Sequence, residues 1–244
     1  MFLVLDFGNT NKKFALFRGG KMILLKSLRT VSLEVIKKFV RDHPGIEACI
    51  LSSVIRHPSS INEFLRKQFL FIELNSRVPL PLKNRYRTPD TLGNDRLAAA
   101  VAGHLKFPRS PVLVINAGTC LTYELVSARG EYLGGSISPG MQMRFRSLNT
   151  FTGKLPLITY KKGPVPQTGR DTESSIRSGV LNGMTAEMEA TAGRYRKEYP
   201  ELKVILSGGD LDYFAGRLKI SIFALPEIVV AGLYEILRFN AQGI

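Results

Sequence analysis

Cysteine is nearly absent from this sequence. The two present, Cys49 and Cys120, lie far apart and outside any His-rich spacing, which excludes a disulfide framework and argues against a zinc site. No apolar run reaches bilayer length, and Asp6 with the charged residues after it argues against a signal peptide or transit sequence. A reducing cytoplasm is the expected compartment, with no membrane partner. Acidic residues are scarce too, 20 against 34 Lys and Arg, for a formal charge of +14. Such a balance first suggests nucleic acid. The basic residues, however, come singly or in pairs (Lys12-Lys13, Lys37-Lys38, Lys161-Lys162), with no longer block or basic tail. Nucleic acid is therefore disfavoured as the main partner, and a positive field that steers small anions such as nucleotides is favoured.

A helix-opening phosphate loop is also missing: neither GxxxxGK[ST] nor GxGxxG follows the first apolar stretch. What stands there instead is MFLVLDFGNTNKK. Phe2 to Leu5 run into Asp6, then come Gly8, Asn9 and Thr10, and an alternating segment with Phe14, Leu16 and Phe17. This reads as strand, tight turn, strand, with a carboxylate at the mouth of a hairpin. Gly8 leaves room for a ligand, and Asn9 and Thr10 offer amides and a hydroxyl to phosphate oxygens. The same residues are also ordinary turn formers. A second copy of the plan strengthens the functional reading: residues 112–137, VLVINAGTCLTYELVSARGEYLGGSI, repeat it, with Asn116 and Gly118 in place of Asp6 and Gly8.

The duplication predicts two domains, residues 1–110 and 111–244. In the first, Gly19-Gly20 leads into a strand at Met22–Leu25. Ser32 caps a helix with Leu33, Ile36, Phe39 and Val40 on one face, and Ala48–Val54 is a buried strand. Ser60-Ile61-Asn62-Glu63 has capping-box spacing before a helix through Phe64, Leu65 and Phe69; Leu70–Leu74 is a strand. The second half offers a long helix from Thr172 to about Tyr199, a strand at Val204–Ser207 and a helix from about Glu227. This order resembles the actin and sugar-kinase superfold. It implies an α/β protein of two duplicated actin/RNase H-like domains facing a nucleotide cleft.

Residues 86–100, YRTPDTLGNDRLAAA, carry the next signal. Pro89 and Gly93 break structure, and Leu97 to Leu105 is Ala-rich and helical in pattern, so Asp95 falls in a first helical turn. There it complements the helix dipole, or, with Arg96, presents a carboxylate base and a guanidinium fork to an alcohol substrate that also carries a carboxylate.

Taken together, the segments DFGNTNKK, Tyr86 to Arg96 with Gly93-Asn94-Asp95-Arg96, INAGTCLT, YLGGSISPGM, TGKLP, TESSIRSG and SGGD resemble, in order and spacing, the type III pantothenate kinases. The resemblance implies ATP-dependent phosphorylation of pantothenate to 4'-phosphopantothenate, the first step of coenzyme A synthesis. Asp6, Phe7, Gly8, Asn9, Thr10, Asn11, Lys12 and Lys13 are implied to bind ATP phosphates, Asp6 near magnesium, directly or through water, with Thr119 touching the nucleotide from the other side. Tyr86, Gly93, Asn94, Asp95 and Arg96 are implied to hold pantothenate, and Asp95 to accept its proton. Thr172 is implied to complete the pantothenate pocket of a neighbouring subunit, so that a homodimer shares its active sites. Gly134, Gly135 and Gly140 look like backbone-approach positions near the site, or ordinary turn glycines.

One departure stands out. The second hairpin of the family usually begins with Asp, a ligand for a monovalent cation (K+ or NH4+); here the residue is Asn116, so the resemblance implies a monovalent-cation site weakened by the loss of that charge. Two other classes remain compatible with the sequence: another small-molecule kinase of the superfold, and a non-enzymatic regulatory relative that binds nucleotide or nucleic acid.

Overall fold

The computed structural model describes residues 1–160 and 163–241; the Lys161-Lys162 pair lies outside the described residues. Its contacts divide the chain into two compact units. Unit 1 holds Met1–Pro108, Gly130–Leu133 and the chain from Glu227 onward; unit 2 holds Arg109–Arg129 and Gly134–Pro226.

Unit 1 opens with β1 (Phe2–Phe7), β2 (Lys12–Arg18), β3 (Lys21–Leu28), α1 (Leu33–Asp42), β4 (Ala48–Ser53), α2 (Ser59–Gln68) and β5 (Leu70–Glu73). The sheet order is β3-β2-β1-β4-β5, antiparallel across the hairpins and parallel from β1 outward. After the two-residue β6 (Lys83–Asn84) and a 3-10 turn at Pro89–Thr91, α3 (Asn94–Lys106) follows. In the second half come β7 (Val112–Ala117), β8 (Cys120–Val126), β9 (Glu131–Pro139), α4 (Met141–Thr150), α5 (Thr172–Glu198), β10 (Lys203–Ser207), α6 (Leu211–Ala215), β11 (Phe223–Ala224) and α7 (Ile228–Asn240). The second sheet runs β9-β8-β7-β10-β11, the same order as the first, with β6 added at the β9 edge. Duplication of the strand plan is therefore real.

β1 reads as an unbroken apolar run because both its faces are covered. Leu3, Leu5 and Phe7 pack with Phe14, Leu16, Cys49 and Leu51 against Ile36 and Phe39 of α1 and Ile61 and Leu65 of α2. Val4, Ala15, Phe17 and Ile50 pack on the opposite face against Ala98 and Val101 of α3 and Val230, Leu233 and Tyr234 of α7. Phe17 stacks on Tyr234 with ring centroids 4.1 Å apart. The Ala-rich stretch of α3 lets α7 approach so closely that a β-carbon on Gly232 would lie 1.8 Å from the Ala98 carbonyl oxygen.

Several local expectations change. Ser32 caps α1, accepting the Val35 N–H at 3.3 Å. The capping box expected at Ser60 does not form: Pro58, with φ fixed at −61°, takes the N-cap position, so Ser60 falls inside the first turn. Asn62 bonds His57 instead, and Phe69 terminates the helix. A capping box does occur at α5, where Asp171 accepts from Ser174 N–H and the Ser174 hydroxyl accepts in return from the Asp171 N–H. The stripe Ile176, Val180 and Met184 faces the core of unit 2. α4 and α6 have no counterpart in the sequence reading; only Met141 and Phe145 of α4 are buried, too sparse a pattern to announce a helix. Among the described residues no helix is long and apolar enough to cross a membrane.

Gly232→Ala is expected to destabilise the protein by about 1–3 kcal/mol through overpacking. Gly193→Ala, in a helix with nothing within 4 Å of the new methyl, is expected to stabilise it by up to about 1 kcal/mol. Denaturant titration of the two variants against the parent checks both; equal effects would show that the α3–α7 approach is not tight.

Candidate functional site

The apolar row Val4, Ala15, Ile50, which faces α3 and α7, continues by strand alternation to Asp6, Lys13 and Ser52 at the carboxyl end of β1. Asp6 is paired across the ladders with Lys13 on β2 and Ser52 on β4. Ligands of open α/β sheets bind beyond the carboxyl ends of parallel strands, where side chains leave the core. The N-terminal ends of α3 and α7 bring Asp95 and Glu227 to this row: both carboxylates raise the pKa of Asp6. Burial is the largest cause of that rise, opposed by the Lys13 ammonium, and the result is a carboxyl shifted from 3.8 to about 6. Lys13 Nζ donates to Glu227 Oε2 at 2.7 Å.

Asp95 lies in the first turn of α3, after Gly93 at the N-cap, and its Oδ1 accepts the Arg96 N–H at 2.9 Å. A β-carbon at 93 would meet that oxygen at 2.6 Å, so a larger residue there would push the carboxylate away from its own helix end. Asn94 Nδ2 donates to the Leu74 carbonyl at 2.9 Å, anchoring the turn to the end of β5. Arg96 is only 6% exposed, with its guanidinium 5.7 Å from the centre of the Tyr86 ring, and Tyr86 stacks on Tyr132. The structure thus joins Asp6, Lys13 and Asp95 through their charges, and Tyr86 and Arg96 through ring contact.

Not every expected residue points the same way. Phe7 is wholly buried between Phe14 and His57, and Lys12, on the face opposite Lys13, donates to the Asn9 carbonyl at 3.3 Å. Asn9, Thr10 and Asn11 are exposed at the hairpin tip, which the Gly8 N–H closes by donating to the Asn11 carbonyl at 3.1 Å.

In unit 2 the corresponding row is Asn116, Thr122 and Ser207. Asn116 abuts the SGGD turn, where Gly208 holds φ +99° and has no room for a side chain beside the Ala117 carbonyl and Asn116 Oδ1. Asp210 donates its N–H to the Ala117 carbonyl at 3.0 Å, and burial lifts its carboxyl to about 6. Thr119 sits in the second hairpin turn, whose backbone Gly140 touches: a β-carbon at 140 would lie 2.5 Å from the Thr119 carbonyl. Gly135 approaches the Tyr123 backbone in the same manner, and Gly134 holds φ +105°. Thr172 opens α5 and lines a cavity of about 880 Å³ with Arg144, Arg170, Ser175 and Ile176.

For a magnesium ion the unit 1 row fits. The Asp6 carboxylate takes no hydrogen bond among the described residues, and the Ser52 hydroxyl, 0% exposed, has no partner. Such orphaned oxygens suit a hydrated cation. No group of three or more His, Cys, Asp or Glu is arranged to hold a metal among the described residues, so water and phosphate oxygens would complete the shell. At position 116 the side chain offers a neutral amide oxygen where a carboxylate would bring a full charge, and the Ala117 carbonyl beside it accepts the Asp210 N–H. Glu227 and Ser52 were not visible as site residues in sequence, since neither belongs to a polar motif.

The raised carboxyl has a stability consequence. Its folded-state value lies above the ordinary one, so protonation favours folding: the penalty is absent below pH 3.8 and fully present above about 6. Asp6→Asn is expected to raise the melting temperature of the ligand-free protein above pH 6 and leave it unchanged below pH 3.8, each kcal/mol amounting to about 2–4 °C. A pH-independent difference in thermal scans would refute the burial penalty.

A family model described as type III pantothenate kinase matches residues 2–194. A type III pantothenate kinase of Phocaeicola vulgatus is 44% identical over 241 residues, covering 98% of this chain and 99% of the relative. Among solved structures, a Campylobacter jejuni protein named for the Baf family of transcriptional activators aligns with a TM-score of 0.63 at 20% identity, covering 98% and 99% of the two chains. A glucokinase from an Antarctic psychrotroph aligns at 0.54 and 12% identity, covering 98% of each. At those identities the structural likenesses bear on fold alone, and they agree with duplicated domains of the actin and sugar-kinase kind. The family match and the full-length relative carry more: this chain belongs to the type III pantothenate kinase family.

Proposed function

We propose that Asp95 is the general base of a pantothenate kinase whose phosphate and metal side is built around Asp6. Family membership makes the activity the ATP-dependent transfer of a phosphoryl group to the alcohol of pantothenate. The observation that supports the residue assignment is that Asp95, in the first turn of α3, bears electrostatically on Asp6 at the end of β1, while Arg96, next in the same turn, has its guanidinium 5.7 Å from the centre of the Tyr86 ring. An alcohol is not ionised at neutral pH, so a carboxylate must take its proton as the new O–P bond develops. Asp95 does this from a fixed helix turn. Tyr86, Gly93, Asn94 and Arg96 frame the acceptor, and the hairpin tip Gly8 to Asn11 offers backbone and side-chain donors to the phosphates; for Thr119 the family resemblance alone supports a nucleotide contact. Lys13 adds positive charge there. Asp6, with Ser52 beside it, would hold hydrated magnesium, which when bound supplies charge to the phosphate oxygens. A monovalent cation, K+ or NH4+, would be held more weakly at Asn116 than at an Asp, because the amide brings a dipole and no full charge.

The test is ATP consumption with and without pantothenate, with the product identified by mass. Asp95→Asn is expected to lower kcat by about 10²–10⁴-fold while pantothenate binding persists. Near-normal turnover in that variant would remove Asp95 from the role.

Thr172 is read as a residue that completes the pantothenate pocket of a second copy of the chain. Its support is position: it opens α5 at the rim of an open cavity, in a unit other than the one holding Asp95. Mixing inactive Asp95→Asn with inactive Thr172→Arg protein is expected to restore part of the activity, since one kind of mixed site has both residues intact. No recovery despite demonstrated subunit exchange would rule out shared sites.

A further inference from the structure

Lys13 stands directly opposite Asp6 in the β1–β2 ladder. Cross-strand partners in an antiparallel pair share a face, with β-carbons about 4.5–5.5 Å apart. An ammonium and a carboxylate so placed would ordinarily pair. Here they do not: Lys13 Nζ goes to Glu227 Oε2 at 2.7 Å, and among the described residues no hydrogen bond reaches Asp6. Glu227 is the N-cap residue of α7, yet its side chain makes no capping bond. The carboxylate is directed away from its own helix end and toward the lysine. The two side chains are 29% and 26% exposed, so water screens the pair less than it screens a surface pair.

We propose that Glu227 is a positioning residue for nucleotide binding: by holding the Lys13 ammonium, it keeps the Asp6 carboxylate clear for a hydrated divalent cation. The inference rests on the reading of Asp6 as the metal-side carboxylate. Without Glu227, Lys13 swings to its cross-strand partner and competes with the ion for the same oxygens. A purely structural ion pair tying the hairpin to α7 would act differently, because its loss would weaken nucleotide binding whether or not metal is present.

The experiment is calorimetric titration of the full chain with ADP, with and without magnesium. Glu227→Gln is expected to weaken binding roughly tenfold in the presence of magnesium. In its absence binding stays equal or tightens, since a negative charge near the phosphates is gone. In a Lys13→Met background the same substitution is expected to add no further magnesium-dependent loss, because the competitor has been removed. Should Glu227→Gln fold poorly, Glu227→Asp, one methylene shorter, releases Lys13 and is expected to shift binding in the same direction. Equal losses with and without magnesium, or a loss that persists in the Lys13→Met background, overturn the proposal. Asp6→Asn separates the two levels. If that variant keeps the full magnesium dependence, the reading of Asp6 fails and the inference with it; if Asp6→Asn abolishes the dependence while Glu227→Gln leaves it intact, the inference alone fails.

Discussion

Two-sided burial of β1 is the constraint from which the site follows. A strand covered by α1 and α2 on one face and by α3 and α7 on the other has no room for charge along its length, so its polar residue emerges only where the covering helices begin. Asp6 occupies that place. The helices that bury Val4 are the ones whose first turns deliver Asp95 and Glu227, and the close α3–α7 approach through Ala98 and Gly232 brings those two ends to one strand. Packing and chemistry are thus consequences of the same contact.

Electrostatically, the arrangement is costly to the unliganded protein. Asp95 and Glu227 add negative charge near Asp6 where burial already disfavours its ionised form, Lys13 offsets part of it, and Asp6 responds with a raised pKa. A group held in this way gains from a cation that offsets its charge. Perturbed carboxylates of this kind cluster at functional sites, where stability and activity commonly pull in opposite directions.

The second unit repeats the scaffold without the charges. Asn116, Thr122 and Ser207 stand where Asp6, Lys13 and Ser52 stand in the first. The SGGD turn, not a helix end with a paired lysine, closes the row there, and its half-buried carboxyl, Asp210, stands at the N-cap of α6. One strand plan therefore carries two different sets of side chains, as expected when function resides in a few residues placed on a fold.

Local sequence determined what depends on neighbours in the chain. The hairpin with Asp6 at its mouth, the Ser32 cap, the repeat at residues 112–137 and the place of Asp95 in a first helical turn all follow from alternation, turn residues and breakers a few positions apart. Ser60 shows the limit even of that logic, since one proline two positions earlier moved the helix start and with it the cap. Tertiary structure alone decided the rest. Glu227 lies 214 residues from Lys13, and Ser52 looks like any residue at the end of a buried strand. Their importance comes from which strand lies beside β1 and which helix covers it. That α7, last in the chain, packs in unit 1 is likewise a matter of shape, since only an Ala-rich helix facing a glycine leaves space for it.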